Sequence, residues 1–84
     1  KRKFFNPEET VFLMSNNQIE RGVVIGVEKI NEGHEDECFI HKVKTNSDIF
    51  EGKTLNEIFV SPELLVEALF FRMNKKYNTN YKRA

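Results

Sequence analysis

The chain has no tryptophan, one cysteine, two prolines and four glycines in 84 residues. The lone Cys38 excludes a disulfide scaffold, which needs paired cysteines. A single thiol suits a reducing compartment, so a cytoplasmic location is expected. No apolar run approaches the ~20 residues that cross a bilayer. The longest near-continuous run, residues 64–71, is broken by Glu67, and no membrane association is expected. No signal-peptide pattern is visible, because the basic residues 1–3 lead into Phe4 and Phe5 and then into Glu8 and Glu9. The first residue is not Met, so the sequence reads as a processed, trimmed or partial product. A Gly-rich phosphate loop, an HExxH pair and a GxSxG elbow are all missing.

What is present is a charge split. Lys plus Arg and Asp plus Glu each number 13, for a formal net charge of zero. Residues 1–3 are all basic, and residues 72–84 carry five cations and no acid. Residues 4–71 therefore hold 5 basic and 13 acidic side chains, a net of minus eight. An acidic body disfavours a nucleic-acid binder that uses its whole surface. The length allows one domain with one small core. Eight Phe and two Tyr supply large side chains to fill it.

Periodicity predicts a mainly β domain. Residues 10–14 read as a short apolar strand, and Ser15, Asn16 and Asn17 as a turn. A long strand then runs from Gln18 to about Ile30. Ile19, Val23, Ile25 and Val27 alternate onto one face; Glu20, Gly22, Val24, Gly26 and Glu28 take the other. Two glycines inside one strand predict strong coiling, as at the corner of a small barrel. Residues 31–37 form an acidic loop, residues 38–45 a third strand, and Ile49 with Phe50 a short edge strand. Glu51, Gly52 and Lys53 read as a turn and residues 57–60 as a last strand. Ser61, Pro62 and Glu63 make a helix start by capping, a preset φ and an acid at the positive helix end. The helix is expected to end near Asn74 or Lys76. The organisation is a basic arm (1–9), one domain (10–74) and a basic flexible tail (75–84).

The expected helix core stripe is Leu65, Val66, Leu69 and Met73, with Leu64 and Ala68 beside it. Phe70 and Phe71 then border the polar face on opposite sides, and one packed face can hardly hide both rings. Phe70 and Phe71, with Val24 and Ile40 on the strands, are the candidates for contact with a protein partner, self included as a homodimer. Arg72, Lys75, Lys76, Tyr77, Tyr81, Lys82 and Arg83 combine charge with stacking rings and are the candidates for nucleic-acid contact.

Catalytic signals are weak. His34, Cys38 and His41 are close in sequence, but Cys38 and His41 have opposite strand parity and no second ligand cluster exists. A Cys38–His41 thiol pair lacks an orienting group. No metal, cofactor or small-molecule substrate is expected, and a metal or thiol enzyme is the remote alternative.

The order is a short strand, an Asn-rich turn, a long strand with Glu20-Arg21-Gly22-Val23-Val24-Ile25-Gly26-Val27, and then Ile58-Phe59-Val60-Ser61-Pro62-Glu63-Leu64-Leu65 entering a helix. This order resembles small SH3-like or Tudor-like barrels of short bacterial and phage proteins. The resemblance covers residues 10–71. It implies a strongly bent antiparallel barrel of four or five strands closed by a C-terminal helix, and a binding or adaptor role. The chain departs from it in the adjacent Phe70 and Phe71 and in loops with few aromatics. The favoured expectation is a non-catalytic protein-interaction module; nucleic-acid binding through the basic tail is the alternative.

Overall fold

Asn16 and Asn17 take left-handed φ values of 51° and 64°, which a tight primed hairpin turn demands and asparagine tolerates. This turn sets Ser15 opposite Gln18 and pairs β1 (Thr10–Ser15) antiparallel with β2 (Gln18–Ile30). A loop through the acidic residues leads to β3 (Cys38–Lys44), which pairs with β2, and a turn leads to β4 (Ile49–Lys53), which pairs with β3. The last element among the described residues is α1 (Pro62–Tyr77). The computed structural model describes residues 2–80.

The four strands form one open sheet in the order β1-β2-β3-β4. The expected closed SH3-like barrel is therefore incorrect, and the resemblance to SH3-like and Tudor-like barrels fails with it. The reason lies in residues 54–60. A closing strand was expected at 57–60, but the Glu57 carboxylate accepts from the Thr54 N–H and hydroxyl at 3.0 and 3.2 Å, and the Glu57 N–H bonds back to the Thr54 carbonyl. The chain turns there instead of extending. Only Phe59 reaches β1, in a single antiparallel bridge with Phe12. Ser61 then begins the helix cap, so no length remains for a ladder. The turn expected at Glu51-Gly52-Lys53 is also corrected: these residues continue β4, with Gly52 at φ 71°.

One face of the sheet carries the core. Val11, Leu13, Val24 and Val43 are buried, covered by Phe5 and Ile58 with Phe50 and Leu55 packed alongside. Val24 is fully buried, so its nomination as a surface contact is wrong. Gly22 sits beside it on the same face. A Cβ on Gly22 would lie 2.7 Å from Val43 Cγ1 and 3.0 Å from the Lys44 carbonyl oxygen. The missing side chain is what lets β3 approach. The β2–β3 register shifts between Val24 and Gly26, leaving Ile25 as the extra residue of a bulge. A bulge reverses the alternation, so Val27, opposite buried His41, returns to the core side.

Residues 2–9, read as a basic arm, lie against this core. Phe5 is buried, and its N–H donates to His41 Nε2 at 2.9 Å. The Arg2 guanidinium stacks 4.2 Å from the Phe5 ring centroid and pairs with Glu9 at 3.0 Å. The Glu8 N–H and the Glu9 carbonyl bond to the Val24 backbone, extending the pairing of β1.

The helix start follows the sequence expectation. Ser61 Oγ accepts the Leu64 N–H at 3.2 Å, Pro62 is the first residue and Glu63 lies in the first turn. At the far end Asn78 adopts the left-handed conformation and its N–H returns to the Asn74 carbonyl. The expected core stripe is mostly shallow. Leu65 alone among the helical residues is buried, while Leu64 and Leu69 keep 44% and 38% of their surface. No helix among the described residues is long and apolar enough to cross a membrane.

Candidate interaction surface

Burial of Val24 and Val43 on one face turns their neighbours outward, because side chains alternate along a strand. The register places Thr10, Val23, Lys44 and Ile49 in one row across all four strands. All four are exposed. Below this row Arg21 lies opposite Phe12, and Met14 opposite Ile19. Above it stands the bulge residue Ile25. Val23, Ile25 and Ile49 expose 39%, 45% and 49% of their surfaces. Val23 and Ile25 are neighbours on β2 and form a small apolar patch, with Ile49 on β4 beyond Lys44. A shallow open hollow of about 650 Å³ lies along this patch, with Arg21, Val23, Ile25 and Lys44 among its lining residues.

Cations frame the patch. Arg21, Lys42 and Lys44 are exposed on the outer face, and the ion pairs of the described residues lie elsewhere, at Arg2–Glu9, Lys29–Glu37 and Lys53–Glu57. The acids of this face, Glu28 and Glu51, sit toward its far end around Lys42. Glu20 at the rim is engaged by the Ser47 hydroxyl at 3.0 Å. Arg21 and Lys44 make no ion pair among the described residues and stand next to Val23, with the Glu20 carboxylate at the rim of the same hollow, in a body that is acidic overall.

The nominated contact residues are scattered. Ile40 is on this outer face, partly buried and opposite Glu28. Phe71 is on the helix with 68% of its surface exposed, and Phe70 beside it is partly covered. Glu63, Leu64, Glu67 and Phe71 share one exposed side of α1, within about 100° of arc at 100° per residue. Neither Glu63 nor Glu67 makes an ion pair among the described residues.

Of the nucleic-acid candidates, Arg72 is committed to the fold, since its guanidinium donates to the Asn56 carbonyl. Lys75 and Lys76 are in the exposed last turn, and the Lys76 ammonium lies 5.3 Å from the Tyr77 ring centroid. The Tyr77 side chain keeps 62% of its surface exposed. Tyr81, Lys82 and Arg83 lie outside the described residues.

The His34, Cys38 and His41 set does not assemble. His34 is in the exposed loop, and Cys38 opens β3 partly buried. His41 is buried with both ring nitrogens used: Nε2 accepts from Phe5, so Nδ1 carries the proton and donates to the Lys53 carbonyl at 2.7 Å. Among the described residues no three His, Cys, Asp or Glu side chains are placed to hold a metal ion. The acidic loop is folded on itself: Asn31 Nδ2 donates to Asp36 at 3.1 Å and the Gly33 N–H to Glu37 at 3.0 Å. That backbone bond, with Lys29 nearby, holds the Glu37 carboxyl below the ordinary 4.5.

The outer face escaped the sequence reading because β2 is apolar on both sides of its centre. Its one trace in the sequence is the spacing of Lys42 and Lys44, two residues apart and so on one face of their strand. Compared with protein families, with curated proteins and with solved structures, the chain finds no match.

Proposed function

We propose that this protein is a small non-catalytic interaction module, acting in the cytoplasm, and that it binds a protein partner through the outer face of its sheet. The supporting observation is the exposed row of Val23, Lys44 and Ile49, flanked by Arg21 and Ile25, whose cations form no ion pair among the described residues. Apolar contact area supplies affinity, and the cations select a partner segment that combines acids with apolar side chains. Nucleic acid is disfavoured on this face because it offers no exposed aromatic ring for a base to stack on.

An isotope-labelled sample titrated separately with an acidic amphipathic peptide and with a single-stranded oligonucleotide tests this reading. The peptide is expected to shift the amides of Arg21, Val23, Ile25 and Lys44. No shift with either probe, or a larger response to the oligonucleotide centred on Lys75, Lys76 and Tyr77, overturns it.

A further inference from the structure

We infer that the partner of the outer sheet face is the helix of a second copy of this chain, a proposal that rests on the interaction reading above. The two surfaces are complementary. The sheet offers Arg21 and Lys44 beside Val23 and Ile25; the helix offers Glu63 and Glu67 beside Leu64 and Phe71, all eight exposed. Among the described residues neither these cations nor these acids form an ion pair within one chain. Their spacings also agree. Arg21 stands diagonally from Lys44 across the β2–β3 pair, a separation of about 7–8 Å. Glu63 and Glu67 are one helical turn apart, about 6 Å along the axis. Val23 and Ile25 are neighbours on one strand face, about 7 Å apart, and the exposed Phe71 ring is large enough to cover both.

This contact joins two different surfaces, so it is head-to-tail. A head-to-tail contact leaves the pair with one free sheet face on one copy and one free helix face on the other unless a ring closes. Assembly therefore continues past a dimer as concentration rises. Salt weakens it, because the charges are solvent-exposed and screened.

Charge reversal tests the pairing, read by sedimentation velocity at low salt on chains shown by circular dichroism to be folded. The wild-type chain is expected to sediment faster as concentration rises. R21E/K44E alone and E63K/E67K alone are each expected to weaken association at least tenfold. Mixing the two variants restores it, because both interfaces in the mixture regain opposite charges. A wild-type chain that stays monomeric overturns the proposal, as does a mixture that fails to associate. If the wild type stays monomeric while the peptide still shifts Arg21 and Lys44, self-recognition is lost and the broader interaction reading survives; if both fail, both are lost.

Discussion

His41 Nε2 accepts the backbone N–H of Phe5 at 2.9 Å, a bond between residues 36 apart that pins the N-terminal segment to the third strand. The same ring donates from Nδ1 to the Lys53 carbonyl and so also holds β4. Replacing His41 with Ala strands a buried donor and a buried acceptor. Each orphaned group costs about 1–3 kcal/mol, a large share of the ~5–15 kcal/mol that holds a domain together. H41A is expected to lower the urea midpoint markedly. Hydrogen exchange is expected to accelerate first at Phe5 and at Val24, whose N–H bonds to the Glu9 carbonyl. Equal protection in variant and wild type would contradict the pinning role.

The two strand glycines differ in kind. A methyl group on Gly22 meets Val43 at 2.7 Å, whereas on Gly26 nothing lies nearer than the Lys42 Cβ at 3.9 Å. G22A is expected to destabilise by about 1–3 kcal/mol through overpacking. G26A is expected to be neutral or to stabilise by a few tenths of a kcal/mol through the unfolded chain. Thermal melts of the two variants side by side check this, and equal losses would show that the close approach at Gly22 is not the constraint.

Acid is expected to loosen the N-terminal segment. The Glu9 carboxyl is held below the ordinary 4.5 first by the Asn6 N–H, at 2.6 Å, and then by the Arg2 guanidinium. A lowered folded value means that the stabilisation is complete above 4.5 and fades as pH falls through the lowered value. Melting midpoints measured across acid pH are expected to fall less steeply in E9Q than in the wild type. Identical slopes would remove Glu9 from the account.

The helix cap is a local device. Ser61 satisfies one orphan N–H at the start of α1, and S61A is expected to cost about 1 kcal/mol. Because α1 buries little beyond Leu65, the loss is expected as selective fraying: hydrogen exchange accelerates at Leu64 and Leu65 while β2 and β3 are unchanged. Uniform acceleration would mean that the helix and sheet unfold as one unit.

These contrasts show which parts of the fold local sequence can carry. The Asn16-Asn17 hairpin, the span of β2 and the Ser61-Pro62-Glu63 start were all legible, because each rests on the preference of one or two residues for a particular backbone conformation. The inward face of β2 was not. Ile19, Val23, Ile25 and Val27 alternate as a core face would, yet Val24 between them is the residue that points in, and the bulge at Ile25 then reverses the parity. Burial of Phe5 depends on His41, and no local pattern links them. The closed barrel failed because a short segment before a helix cap looks like a strand whether or not it has a partner long enough to pair with. For the surface, Phe71 was legible from the helical wheel; Arg21, Val23 and Ile25 emerged only once Val24 was seen to be inside.

The most direct test of the head-to-tail contact is a nuclear Overhauser experiment on an equimolar mixture of carbon-13-labelled and unlabelled wild-type chains, filtered for contacts between copies. Contacts are expected from the Phe71 ring of one copy to the Val23 and Ile25 methyl groups of another. Intermolecular contacts that join Phe71 to Phe71, or that leave Val23 and Ile25 untouched in a sample shown to be associated, would contradict it.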